Sequence, residues 1–131
     1  MPIAVGLLMD HDAHGRQALA AGLRRRGMQI IEAGTATEAF ELAQFGRLQF
    51  VVANSDRHPD AINLCRDLRA STATAALFIL LLSSEAGQAE AVATAGATML
   101  MAKPVSAEAI AATIHRMLPN LANDIVDGHR L

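Results

Sequence analysis

Four places in this chain hold residues able to do chemistry. Asp10-His11-Asp12 sets an imidazole between two carboxylates. Asn54 ends the apolar run Phe50–Ala53, and Ser55, Asp56, Arg57, His58, Pro59 and Asp60 follow it. Ser83 follows Leu77–Leu82, and Lys103 stands before Pro104. Lys103 is the only lysine; the other ten Lys+Arg residues of the total of 11 are arginines. A lysine ammonium is a compact charge that meets an oxyanion or a carboxylate as a point contact. A serine hydroxyl can donate to the same oxyanion. An amide, unlike a carboxylate, is a poor nucleophile. Brought together, these residues would surround an anion or a cation with polar groups while offering no strong nucleophile at position 54.

Each of these groups stands where an apolar run stops, so the runs must position them. Ile3–Met9 is apolar without a helical period and reads as a strand buried on both faces. A helix starting at His11 or Asp12 runs to about Arg26, carries Ala18, Leu19, Gly22 and Leu23 as its apolar stripe, and is stopped by Gly27. Met28–Glu32 is a short strand. Thr35 caps the next helix, with Glu38 completing a capping box, and that helix ends near Gly46. Phe50–Ala53 is the third strand. A helix from about Asp60 to Ala70 follows it, with Ile62, Cys65 and Leu68 on one face, and Ser71–Ala75 is a loop. Leu77–Leu82 is the most apolar strand, Gly87–Ala95 an alanine-rich helix stopped by Gly96, and Thr98–Met101 the fifth strand. Ser106 caps a last helix with Ile110, Ile114 and Leu118 at helical spacing, closed by Pro119.

Strands that alternate with helices require crossover connections, and hence a parallel sheet covered on both faces. In such a sheet, ligands bind beyond the carboxyl ends of the strands where the strand order reverses. Asp10, His11, Asp12, Asn54, Ser83 and Lys103 all fall at those ends. Ser83 reads either as a donor into the site or as the cap of the helix behind it, and the two roles are compatible.

Composition narrows the function further. A chain of 131 residues suits one domain, read as residues 1–118 with 119–131 as a polar tail or linker remnant. Hydrophobic residues make up 52%, enough for a core without staples, whereas aromatics are only 3%, which argues against base-stacking nucleic-acid surfaces. Net charge is −2, and the one basic cluster, Arg24-Arg25-Arg26, reads as a solvated helix end. The single cysteine, Cys65, has no internal disulfide partner and reads as core. No apolar run is long enough for a membrane span, and the first residues lack a secretory pattern, so the expected location is the cytoplasm. The histidines His11, His14, His58, His115 and His129 form no metal-ligand spacing, and the chain carries no glycine-rich phosphate loop, nucleophile elbow or zinc motif.

From about Ile3 to Leu118 the sequence resembles the receiver domain of response regulators, the CheY-like superfamily of two-component phosphorelay signalling. Asp10 matches the family's first acidic position, Ser83 its hydroxyl position and Lys103-Pro104 its Lys-Pro pair. Asp60-Ala61 resembles the Asp-Gly opening the third helix, and Ala95-Gly96-Ala97 the Ala-Gly-Ala before the fifth strand. The resemblance implies a flavodoxin-like, doubly wound (βα)5 fold with strand order 2-1-3-4-5. It also implies a pocket in which acidic residues hold magnesium and an aspartate after the third strand accepts phosphoryl. Here that aspartate position is Asn54, and the second acidic position is His11. The loop after the third strand has Arg57-His58-Pro59 in place of Met-Pro, and the aromatic position of the fifth strand is Leu100.

The expected protein is therefore a degenerate receiver: no enzyme, no cofactor, and magnesium binding weak or lost, because His11 and Asn54 each replace a hard carboxylate. Lys103 is expected to pair with Asp10 and to donate a hydrogen bond to Asn54. A partner, whether a histidine kinase, an output protein or a second copy of the chain, would dock on the fourth helix, fifth strand and fifth helix, where Ala89, Ala93, Met99 and Met101 offer a weakly polar face. Nucleic-acid and membrane partners are not expected of this domain. Two rivals stand beside this reading. One is a working receiver that uses Asp56 as phosphoacceptor or tolerates a remodelled pocket; the other is a small-ligand-binding flavodoxin-like module, against which the absence of a flavin-stacking aromatic counts.

Overall fold

The computed structural model describes residues 3–56, 59–85 and 87–118. Arg57 and His58 of the loop after the third strand, Pro119 at the end of the last helix and the tail 119–131 lie outside the described residues. The elements in chain order are β1 Val5–Met9, α1 Ala13–Arg24, β2 Gln29–Ala33, α2 Ala36–Phe45, β3 Phe50–Asn54, α3 Asp60–Ala70, β4 Phe78–Ser83, α4 Ala89–Ala95, β5 Met99–Ala102 and α5 Ala107–Met117. All strand pairs are parallel, and the sheet order is β2-β1-β3-β4-β5. The predicted architecture is the one observed.

The apolar runs without helical period lie where both faces of the sheet are covered. Along β1, β3 and β4, alternate side chains go to opposite layers, as the pleat demands. Leu7, Met9, Val51, Ala53, Ile79 and Leu81 pack under α2, α3 and α4 with Ala39, Ala43, Leu64, Cys65, Leu68 and Val92. Leu8, Phe50, Val52, Phe78, Leu80 and Leu82 pack under α1 and α5 with Ala20, Leu23, Ile110 and Ile114. Every residue of β4 is buried, which explains why that run has no polar face. Gly6 on β1 pairs in register with Phe50, and a Cβ there would overlap the Phe50 ring, so glycine makes room for the largest side chain of the inner strands.

Capping follows the sequence with two differences. Asp12 Oδ2 accepts from the Gly15 N–H at 3.2 Å, and Thr35 Oγ1 accepts from the Glu38 N–H at 3.1 Å. Glu38 closes its half of the box one residue early, accepting from the Gly34 N–H at 2.8 Å. The second difference is in α4, which begins at Ala89 and not at Gly87: Gly87 has φ of 98°, a left-handed conformation that cannot enter a helix. Gln88 takes the N-cap position, so Ser83 is not a helix cap. Gly96 ends α4 in the left-handed region at φ 98°, the stop read from the sequence.

At the opposite edge of the sheet from the strand ends, Arg69 of α3 ties three segments together. Its guanidinium donates to the carbonyls of Gly96, Ala75 and Leu77 at 2.8, 2.8 and 2.6 Å and to Thr98 Oγ1 at 3.0 Å. Cys65 is fully buried with its Sγ 3.3 Å from the Ala95 carbonyl, and burial pushes its thiol pKa up despite the nearby charges of Arg69 and Arg66.

Candidate functional site

The parallel topology brings β1, β3, β4 and β5 to one edge, where their C-terminal residues surround a cleft of about 640 Å³ lined by Asp10, His11, Asp12, Asn54, Asp56 and Lys103, with Gly15, Leu19, Leu82 and Val105. Ser83 lies beside it at the end of β4. Asp10, His11, Asp12, Asn54 and Lys103, expected at strand ends, are brought together by the fold, and Asp56 joins them from the loop after β3. Pro104 follows Lys103 through a cis peptide bond and is exposed outside the cleft.

Asn54 sits at the centre. Its Nδ2 donates to Asp10 Oδ1 at 3.2 Å, and its Oδ1 accepts from Lys103 Nζ at 3.1 Å and from the Asp56 N–H at 3.1 Å. The orientation follows from charge: the amide presents its donor to a carboxylate and its acceptor to an ammonium, and the reverse would leave both unmatched. One neutral side chain thus satisfies an anion and a cation that a carboxylate could not satisfy together.

The expected Lys103–Asp10 pair is not formed. Lys103 Nζ lies 3.0 Å from Asp56 Oδ2, and Asn54 stands between Lys103 and Asp10. The expected hydrogen bond between Lys103 and Asn54 is present. Asp56 leaves β3 two residues past its end and turns back over the pocket, held by its own N–H on the Asn54 amide oxygen. That places the Asp56 carboxylate in contact with the ammonium, whereas Asp10 meets the Asn54 amide instead. Asp56 is then met by the end of β4: Ser83 Oγ at 3.2 Å and the Ser84 N–H at 2.7 Å on Oδ1, with Ser84 Oγ at 3.0 Å on Oδ2. Burial pushes the Asp56 carboxyl pKa upward, but the Ser84 N–H, the Lys103 ammonium and the Ser84 hydroxyl outweigh it and hold the group below its ordinary value.

Sequence reasoning missed Ser84 and Ser55. Ser55 is fully buried; its N–H donates to the Leu82 carbonyl at 2.8 Å, and its Oγ lies 2.9 Å from Gln88 Oε1. The signal was a polar residue directly after an apolar strand, which reads as solvent-exposed loop until the neighbouring strand is in place.

The acidic side chains and His11 at this edge are engaged with the backbone and with one another. Asp10 Oδ1 accepts from the Asp12 N–H at 3.0 Å as well as from Asn54, and Asp12 is engaged as the cap of α1. His11 Nε2 lies 3.2 Å from Asp60 Oδ2 across the connection to α3. Asn54 turns an N–H, not an oxygen, toward Asp10, the wrong pole for a metal corner. Among the described residues no group of three or more His, Cys, Asp and Glu side chains is arranged to hold a metal ion. A second groove, about 560 Å³, runs between α2 and α3 past His11, Thr35, Phe40, Asp60, Asn63 and Asp67. Among the described residues no helix is long and apolar enough to cross a membrane.

No protein-family model matches the chain, and no curated protein matches it. Solved structures do. The chemotaxis response regulator CheY4 of Vibrio cholerae shares 23% identity over 88% of this chain and 99% of its own, with a TM-score of 0.80. A response regulator from Desulfuromonas acetoxidans shares 25% identity over 90% of this chain and 98% of its own, at 0.77. A response regulator protein from Burkholderia pseudomallei, solved with a phosphorylated aspartic acid, a calcium ion and citrate, shares 23% identity over 95% of this chain and 72% of its own, at 0.75. The chain therefore has the flavodoxin-like fold of CheY-like response regulator receiver domains.

Proposed function

We propose that this chain is a receiver module of two-component signal transduction that takes no phosphoryl group on Asn54 and acts through protein–protein contact rather than chemistry. The observation that carries this reading is the Asn54 amide, bridging Asp10 at 3.2 Å and Lys103 at 3.1 Å. A phosphoacceptor needs a carboxylate oxygen free to attack phosphorus and a cation to draw charge from the transferring group. Asn54 supplies neither a carboxylate nor a free oxygen, and the donors around it do not suit magnesium. The module accordingly needs no cofactor and is not an enzyme.

Partners of such a module are a histidine kinase, an output protein or a second copy of the chain. The surface proposed for them is α4, β5 and α5. Ala89 and Ala93 are exposed on α4, whereas Met99 and Met101 are half-buried against the α1–α5 layer, so the apolar share of that face is smaller than the sequence implied. The cleft is lined without Phe, Tyr or Trp, which disfavours the small-ligand alternative.

Asp56 is the rival phosphoacceptor, favoured by its position two residues past β3. Against it, the groups that would receive a transferred phosphoryl already hold its carboxylate. The test is incubation of the intact chain with a small acyl phosphate and magnesium, read by intact mass. No added phosphoryl group is expected. A mass gain that persists in Asn54→Ala and disappears in Asp56→Ala would overturn the reading in favour of Asp56.

A further inference from the structure

Asp56 is bound as an anionic ligand is bound. Its side chain is only 14% exposed. Its two oxygens meet the Ser83 hydroxyl, the Ser84 N–H, the Ser84 hydroxyl and the Lys103 ammonium at 3.2, 2.7, 3.0 and 3.0 Å. A backbone N–H, two hydroxyls and an ammonium that converge on one point form a receptor for an oxyanion, because each presents a positive pole and charge-assisted bonds are the strong ones. The residue before Asp56 adds a second attachment. The Ser55 N–H donates to the Leu82 carbonyl at 2.8 Å and its Oγ donates to Gln88 Oε1 at 2.9 Å, so the residue after β3 holds both β4 and the N-cap residue of α4.

We propose that Asp56 is a resident anion: it fills an oxyanion receptor built by Ser83, Ser84 and Lys103, and so pins the end of β4 to the end of β3 without covalent modification. The proposal rests on the reading that Asn54 takes no phosphoryl group. An anion carried by the chain competes at a high effective concentration, since its linker is two residues from the end of β3. A free oxyanion must displace it to enter. Removing the carboxylate vacates the receptor and leaves its donors in place, so the same site should then accept a tetrahedral oxyanion from solution.

The test uses the intact 131-residue chain, labelled with ¹⁵N, and inorganic phosphate at constant ionic strength and neutral pH. In the native protein, phosphate to several tens of millimolar should leave the Ser83, Ser84 and Glu85 amides unmoved. In Asp56→Ala the same amides should shift saturably, with affinity at least about tenfold above the native protein. Adding Lys103→Met to that variant should abolish the shifts. Hydrogen exchange gives an independent reading: the Ser84 amide should be protected in the native protein, exchange about tenfold faster in Asp56→Ala and regain protection on addition of phosphate. Phosphate binding equally well to both proteins would overturn the proposal, as would a Ser84 amide exchanging at the rate of an unfolded chain in the native protein. The native measurements stand even if Asp56→Ala fails to fold, and Asp56→Asn, which keeps the size, serves as the second variant. Failure here is distinct from failure of the functional reading, since only the latter would add phosphoryl mass to the native chain.

Discussion

Placing a carboxylate at the end of β3 tests the logic of the pocket directly. In Asn54→Asp the Nδ2 donor, 3.2 Å from Asp10 Oδ1, is replaced by an oxygen of like charge. Two unit charges about 4 Å apart repel by about 4 kcal/mol at an effective dielectric constant near 20. The lost hydrogen bond adds about 1 kcal/mol. Lys103, 3.1 Å from the Asn54 oxygen, returns part of this by meeting a charged neighbour in place of a neutral one. A net destabilisation of about 2–3 kcal/mol is expected at neutral pH, a large share of the stability of a domain this size.

Urea unfolding followed by circular dichroism measures it. Two controls identify the cause. Protonation of the introduced carboxyl relieves the repulsion, so the gap between variant and native protein should narrow as the pH is lowered through the carboxylate range. The new carboxylate also gives magnesium a second hard oxygen beside Asp10. At ten times its Kd, magnesium should return about 1.4 kcal/mol to the variant, while the native protein should not respond. A variant as stable as the native protein at neutral pH without magnesium would refute the reasoning, because it would mean that the amide does not mediate between Asp10 and Lys103.

Asp56→Asn is expected to lower stability at neutral pH by about 1–2 kcal/mol, the range of a partly exposed charge-assisted contact. The folded carboxyl titrates below its unfolded value, so its contribution is fully present above the unfolded value and is lost as pH falls through the lower folded one; the two unfolding curves should converge there. Gly6→Ala should cost about 3 kcal/mol or more, through overlap with the Phe50 ring, as measured by thermal unfolding. Arg69→Met should cost about 2–3 kcal/mol by leaving carbonyls at the far edge unpaired, with no effect on phosphate binding in Asp56→Ala. The Cys65 thiol, buried and with its pKa raised, should react with an aromatic disulfide reagent only as fast as the chain opens, seen as a rate independent of reagent concentration.

The scaffold was legible because its signals are local or periodic. Leu77–Leu82 needs no partner to declare a buried strand, and Thr35, Ser106 and Gly96 announce helix ends through their own chemistry. The members of the site were legible for the same reason, since strand ends are visible where apolar runs stop. Their pairing was not. Whether Lys103 meets Asp10 or Asp56 depends on how far a two-residue turn after β3 reaches across β4, a distance that no spacing in the sequence encodes. Ser84 and Ser55 escaped because their partners, Asp56 and Gln88, lie 28 and 33 positions away along the chain. Gly87 was absorbed into α4 because a glycine beside a helical run looks like helix until its φ is known.

The contact between Asp56 and Lys103 also bears on how such a module would behave over time. A receiver switched by a phosphoryl group has an internal clock, set by how long the acyl phosphate survives hydrolysis. An anion that belongs to the main sequence has no such lifetime: it is present from the moment the chain folds and is neither consumed nor replenished. On the function proposed above, the quantity left to carry information is the number of molecules, so the output would rise with synthesis of the chain and fall with its degradation. Substitutions that weaken the fold, such as Gly6→Ala, would then act on the signal itself by changing how much folded protein there is.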